Sequence, residues 1–231
     1  MPLPILEAPT YELKLPSTGK KVKYRPFLVK EYKILLTALE ADNKEISRVV
    51  TELIDVCTFN KLDVNKLSHF DIEYLFLNIR SKSISEIAEV VITCDCGEQI
   101  DVAMDLTKAE VKSEGKLDNK VMITEDLGVV MRYPKFEEII EIQENTKNEN
   151  IINLICNCVD AVFTKEDYYD KSSYTNEELE DFINSFSKDQ FGKLEEFFKK
   201  IPKIQQTLEA DCPKCGKHNT ATIEGLQYFF V

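Results

Sequence analysis

Asp211-Cys212-Pro213-Lys214-Cys215-Gly216-Lys217 has the form of a zinc knuckle. Pro213 tightens the turn, Gly216 lets backbone N–H groups approach the thiolates, and thiolate sulfur suits zinc. A second, shorter stretch, Thr93-Cys94-Asp95-Cys96-Gly97-Glu98, keeps the glycine but has one residue between its cysteines instead of two. Alternating apolar residues flank both: Val90 and Ile92 with Ile100, Val102 and Met104 around the first, Leu208 with Ala221 and Ile223 around the second. The period of two predicts a β-hairpin at each site with its cysteines at the tip. Two such hairpins facing each other make a zinc ribbon, with Cys94, Cys96, Cys212 and Cys215 as ligands of a structural Zn2+. The long segment between them is then an insertion that carries helices. The other reading leaves Cys94 and Cys96 as ordinary strand residues and no metal. His218, three residues past Cys215, reads as a solvated strand residue or as a substitute ligand.

Outward from the knuckles, the remaining cysteines are Cys57, Cys156 and Cys158. Cys156 and Cys158 sit two apart in an apolar helical pattern, which sends them to different faces, so they read as core residues, and Cys57 likewise. An odd count of seven, with no basic region ahead of the apolar residues at the start, points to a reducing cytoplasm. The composition is 43% hydrophobic and 30% charged, ordinary for a globular chain, and no apolar run is long enough for a membrane span. The net charge of −12 and only four arginines (Arg25, Arg48, Arg80 and Arg132) argue against a general nucleic-acid binder. The charge is unevenly spread. Through Lys33 there are seven basic and three acidic residues, a net of +4, which leaves −16 for the rest.

That positive segment is itself patterned. Tyr11, Leu13 and Leu15, a turn at Pro16-Ser17-Thr18-Gly19, then Val22 and Tyr24 predict a hairpin with one apolar and one basic face. Lys21, Lys23 and Arg25 on the basic face are candidate contacts for an acidic partner, or else a solvated edge that discourages aggregation. Helices are predicted over Val29–Glu40, from an Asn43 cap to about Cys57, and from Ser68 through Arg80, where Ser68 and Asp71 have capping-box spacing. Lys112 to Lys120 reads as a polar loop, Val121–Thr124 and Val129–Tyr133 as strands, and Pro134 as the first residue of a helix through about Asn145. A helix over roughly Glu149–Phe163 follows. Capping boxes at Thr175 and Ser187 start two more, the second ending before Pro202. The chain closes on an apolar segment in which Leu226, Tyr228, Phe229 and Phe230 either pack on the body or anchor a partner.

The expected fold is α+β, a mainly helical body with an N-terminal β-hairpin and two Cys-tipped β-hairpins forming a zinc-ribbon-like unit. The order is an N-terminal hairpin (1–28), a helical region (29–85), the first knuckle hairpin (86–106), and a loop and hairpin (107–133). A second helical region (134–203) and the second knuckle hairpin with the apolar tail (204–231) complete one integrated domain.

Nothing in the sequence has the form of an active site. The two histidines lie near no nucleophile pattern, no phosphate loop or dinucleotide fingerprint is present, and acidic pairs such as Glu177-Glu178 and the run Asp167-Tyr168-Tyr169-Asp170 suit helix starts and solvated faces. The chain reads as an interaction protein.

The block Pro9-Thr10-Tyr11-Glu12-Leu13-Lys14-Leu15-Pro16-Ser17-Thr18-Gly19-Lys20, continuing through Tyr24-Arg25-Pro26-Phe27-Leu28-Val29-Lys30-Glu31, resembles the start of the baseplate hub assembly proteins of T-even-type contractile-tailed bacteriophages. The central Cys-x-Cys-Gly, the late Cys-Pro-x-Cys-Gly and the aromatic end are similar too. The resemblance implies a non-enzymatic assembly factor or minor hub component that acts through contacts with other baseplate hub proteins. It would work in the host cytoplasm during phage assembly, with the virion baseplate as a further location. No active site transfers with the resemblance, only the cysteine pairs. The alternative is a cytoplasmic zinc-ribbon adaptor that binds nucleic acid or a transcription complex, which the acidic flanks of both knuckles disfavour.

Overall fold

The computed structural model describes residues 6–113, 118–144 and 148–225. The chain divides into two compact units, one formed by the residues through Lys112 together with those from Lys203 onward, the other by Ser113–Pro202. No helix among the described residues is long and apolar enough to cross a membrane.

In the first unit, β1 (Tyr11–Lys14) and β2 (Lys21–Tyr24) pair antiparallel, with Leu13 opposite Val22 and Tyr11 opposite Tyr24. The pleat buries Leu13, Val22 and Tyr24 and leaves Lys21 and Lys23 in water. Two helices follow, α1 (Val29–Leu39) and α2 (Asn43–Cys57), the second capped by Asp42, which accepts from the Glu45 N–H at 2.8 Å. α3 (His69–Ser83) is apolar on most of its circumference, with Phe70, Ile72, Leu75, Phe76, Leu77 and Ile79 all buried, as suits a central helix. Its first turn holds the hairpin tip: the buried Asp71 carboxylate accepts from the Ser17 N–H at 3.0 Å, from the Ser17 hydroxyl, and from the Ser68 hydroxyl at 2.8 Å.

The two knuckle hairpins complete this unit. β3 (Ile87–Thr93) pairs with β4 (Gln99–Asp105), and β10 (Lys203–Asp211) pairs with β11 (His218–Glu224) and, on its other edge, with β5 (Glu110–Lys112). Leu77 of α3 packs with Ala88, Val90 and Met104 of the first hairpin and with Ile204, Leu208 and Ile223 of the second, so one apolar cluster joins the helix to both.

The second unit is built on a four-stranded antiparallel sheet, in the order β6 (Lys120–Met122), β7 (Leu127–Met131), β8 (Val159–Thr164), β9 (Tyr168–Asp170). Between β7 and β8 lie α4 (Phe136–Glu144) and α5 (Asn148–Cys158); after β9 come α6 (Asn176–Asn184) and α7 (Lys188–Lys199). Thr175 and Ser187 close full capping boxes at the last two. Lys193 of α7 donates to the Ile123 carbonyl at 2.8 Å, which ties that helix to the β6–β7 turn.

The body is more evenly mixed than the mainly helical expectation. The helix expected to reach Phe163 stops at Cys158, and Val159–Thr164 runs as a strand on β7. Val159, Val162 and Phe163 suit a pleated surface, and the open edge of β7 supplies the hydrogen bonds that a local helical pattern does not foresee. Tyr168–Asp170, read as part of an acidic solvated face, is the strand β9. The supposed loop from Lys112 is a strand at its beginning, because Glu110–Lys112 adds to β10. Asp42 rather than Asn43 caps α2, and α4 begins at Phe136, two residues past Pro134.

One pattern appears twice. Arg25 follows the hairpin β1–β2: its guanidinium donates to the Pro26 carbonyl at 2.8 Å and to both oxygens of Glu31 at 3.1 and 2.8 Å. Its N–H meets the Cys57 carbonyl at the end of the second helix, at 3.0 Å. Arg132 follows β6–β7 and repeats every bond, to the Tyr133 carbonyl at 2.9 Å, to Glu138 at 3.0 and 2.6 Å, and to the Cys158 carbonyl at 2.8 Å. In both brackets the glutamate also accepts a backbone N–H three residues before it, from Leu28 and Lys135. Each bracket is followed in sequence by a helix pair, a helix with serine at its N-cap position (Ser68, whose hydroxyl donates to Asp71 rather than closing the expected capping box, and Ser187, which does close one), and a Cys-tipped hairpin.

Candidate metal centre

The knuckles are turns whose geometry is set by their glycines. In the first, the Gly97 N–H donates to the Cys94 carbonyl at 2.8 Å and the Cys94 N–H to the Glu98 carbonyl at 2.9 Å. In the second, the corresponding bonds run from Gly216 to Cys212 at 2.9 Å and from Cys212 to Lys217 at 2.8 Å. The missing residue of Cys-x-Cys is thus absorbed by a turn one residue tighter. Gly97 at φ +83° and Gly216 at φ +70° take the left-handed conformation that reverses the chain, which a side chain would strain.

These turns bring the four sulfurs together. Cys94 Sγ lies 3.7 Å from Cys215 Sγ, Cys96 Sγ lies 3.6 Å from Cys212 Sγ, and all four fall within 4.8 Å of one another. Zn–S bonds of about 2.3 Å at tetrahedral angles place sulfurs about 3.8 Å apart. Both short contacts cross from one hairpin to the other. Cys94 and Cys212 are buried against Ile92 and Ile100, whereas Cys96 and Cys215 face water. One side of the cluster is therefore dry and apolar, and the other is open to an entering ion.

Electrostatics at Cys212 and Cys96 favour a bound cation. The Cys215 and Lys214 N–H groups point at Cys212 and hold its pKa down to about 7. At Cys96 the Glu98 N–H favours the thiolate, but desolvation and the sulfurs of Cys212, Cys215 and Cys94 outweigh it and push the pKa up to about 12. One thiolate forms readily, and a second beside it is opposed. A divalent cation removes that opposition, so the donor set, its spacing and its charge all fit a metal. Ion pairs brace the two tips across the cluster: Lys217 with Asp95, and Lys214 with Glu98 at 3.5 Å. His218 Nδ1 is engaged by Asp211 at 2.8 Å and lies outside the sulfur set.

The other cysteines are different. Burial pushes the thiols of Cys57 and Cys158 up to about 12 and that of Cys156 to about 11, and all three are core residues.

The predicted contact residues divide. Lys21 and Lys23 are exposed on β2, with Lys21 paired to Glu12 at 2.8 Å. Arg25 differs from the expectation, because it turns inward and its guanidinium is engaged by Glu31. Its place directly after an exposed strand concealed this; the glutamate six residues on, matched by Arg132 and Glu138, was the available signal. Leu226, Tyr228, Phe229 and Phe230 lie outside the described residues.

No curated protein and no solved structure matches the chain. The family model of the T4 bacteriophage base plate protein matches residues 8–231, a span that holds both knuckles and both arginine brackets, and the chain belongs to that family.

Proposed function

We propose that this baseplate protein is a non-enzymatic assembly factor or minor component of the baseplate hub, acting through contacts with other hub proteins, and that Cys94, Cys96, Cys212 and Cys215 hold a structural Zn2+. The observation that carries the metal is the pair of short sulfur contacts, each crossing between hairpins distant in sequence. Bound zinc would supply a four-thiolate cross-link between two hairpins that share only a small apolar contact at their tips. The chain's own residues do the rest: backbone N–H groups favour the thiolates, Ile92 and Ile100 exclude water on one side, and the ion pairs hold the tips in register. The assembly role rests on membership in the baseplate family and on the exposed lysines of the N-terminal hairpin, with the C-terminal residues Leu226, Tyr228, Phe229 and Phe230 as the second proposed contact. Elemental analysis of protein purified without chelator should give one equivalent of zinc; much less than one would end the metal reading. Mass spectrometry of complexes from infected cells should return baseplate hub proteins. Recovery of nucleic acid and no baseplate protein would overturn the assembly reading.

A further inference from the structure

Between the N-terminal hairpin and the turn that ends α2 lies an open groove of about 560 Å³. Lys20, Lys21 and Lys23 line one side, Phe59 and Lys61 the other, and the buried Val22 and Leu62 form its apolar base. Glu12 also lines the groove, pairs with Lys21 and faces Lys23 across the two strands, so four lysines meet one carboxylate there, and Lys20 and Lys61 form no ion pair among the described residues. The groove is thus a local concentration of positive charge on a chain whose remainder is strongly acidic.

Phe59 is the informative residue. It follows α2 at φ +63°, and Asn60 after it stands at φ +53°. The Asn60 N–H reaches back to the Asp55 carbonyl at 2.8 Å, the bond that closes a left-handed helix ending. Glycine is the residue that makes this ending without strain, and a bulky aromatic there is rare. Here the position carries a phenylalanine, 40% exposed, that lines the groove. A strained, displayed aromatic beside lysines that outnumber the carboxylates around them is the arrangement expected where a contact outweighs local stability.

We infer that this groove is the docking site for an acidic, extended segment of another baseplate protein, whose carboxylates meet Lys20, Lys23 and Lys61 and whose apolar side chain packs on Phe59. The inference rests on the proposed role in protein contacts and gives that role a place and a partner chemistry. A short acidic segment senses the groove alone, because screening confines its reach to about 8 Å at physiological salt. A long nucleic acid would also meet the acidic remainder of the chain. The groove offers it no arginine fork, since Arg25 is engaged by Glu31.

The test places the photo-crosslinking residue p-benzoylphenylalanine at position 59 of the full-length, affinity-tagged protein in infected cells, with position 91 on β3, also exposed, as control. The expected result is a cross-link from position 59, and not from 91, to an Asp- and Glu-rich peptide of another baseplate protein. Its yield should fall at least about tenfold with Lys23→Glu and Lys61→Glu together, equivalent to about 1.4 kcal/mol. In a second variant, Phe59→Gly should leave Tm unchanged or raised while lowering recovery of that partner. A lowered Tm would make Phe59 a structural residue and overturn the inference. Baseplate proteins co-purifying with no cross-link from position 59 would remove the groove and leave the assembly reading standing. Cross-links to nucleic acid, or no baseplate protein at all, would overturn both.

Discussion

The twofold Arg–Glu bracket permits a quantitative experiment with an internal replicate. Glu31→Gln and Glu138→Gln keep the shape of the side chain and remove its charge. Each carboxylate accepts two guanidinium bonds and one backbone N–H, and the two side chains are only 9% and 15% exposed. A glutamine has one acceptor oxygen, so its NH2 group would face a guanidinium nitrogen, donor against donor. Losing one or two bonds to a charged partner, each worth about 1.5–3 kcal/mol, and discounting for water at the rim, gives about 2–4 kcal/mol at either site. In a unit of this size that is a fall in Tm on the order of 10 °C. The sign of the pH dependence follows from the ionisation. Burial opposes the charge on Glu138, but the Arg132 hydrogen bonds and the Lys135 N–H overcome it and hold the carboxyl below its ordinary range; Glu31 is held down in the same way by Arg25 and Leu28. A depressed carboxyl stabilises the fold at all pH above its unfolded value and loses that effect as pH falls through the folded one. The deficit of each glutamine variant, read by urea unfolding, should therefore be constant at neutral pH and shrink below about pH 4. Deficits under 0.5 kcal/mol at both sites, or a deficit that grows on acidification, would refute the bracket as a stabilising device.

Other perturbations reach the metal centre and the helices. Cys212→Ser should abolish stoichiometric zinc and lower Tm by well over 5 °C, as should a strong chelator on the unaltered protein, since a structural site contributes folding energy directly; unchanged melting after complete zinc removal would contradict this. After chelation, alkylation at pH 8 mapped by peptide mass spectrometry should modify Cys212 first and leave Cys57, Cys156 and Cys158 unmodified, in keeping with the raised pKa of those three; early labelling of Cys158 would count against the assignment. Gly97→Ala should cost about 1 kcal/mol through its positive φ, whereas Gly192→Ala, in α7 with nothing within 4 Å of the added methyl, should gain about 0.5–1 kcal/mol; equal signs in thermal melts would refute the conformational argument.

What was legible in the sequence is what depends on local pattern. Alternation around Cys94 and Cys212 foretold both hairpins, and the serine and threonine caps foretold α6 and α7, because hydrophobic period and capping are short-range properties. The four sulfurs could be matched because cysteine chemistry announces its partners even across a long insertion. What depends on a distant edge was not legible. Val159–Phe163 continues a helical pattern until β7 is beside it, and Glu110–Lys112 is a strand only because β10 is there to pair with it. Arg25 looked like a surface cation for the same reason. Its partner lies in the first turn of α1, and its backbone partner, Cys57, lies at the far end of α2. The groove beside Phe59 depends on a helix-end conformation that no composition reveals.

The repeated order of elements gives the cysteine spacing its meaning. A four-sulfur cluster with a long insertion between its two knuckles is hard to understand as one hairpin pair interrupted by chance. It becomes simple when each knuckle is the last element of the same series: hairpin, arginine bracket, helix pair, a helix with serine at its N-cap position, Cys-tipped hairpin. The first passage ends at Cys94 and Cys96 and the second at Cys212 and Cys215, so the cluster takes two sulfurs from each. β8, β9 and α6 are then additions to the second passage alone, and they are the very elements that make its body a sheet. The first passage has a lysine-bearing hairpin and an aromatic residue, Phe59, just past its second helix. The two therefore share the four-sulfur cluster but differ in the surfaces they present, which is what the proposed adaptor role would need: one common staple and separate faces.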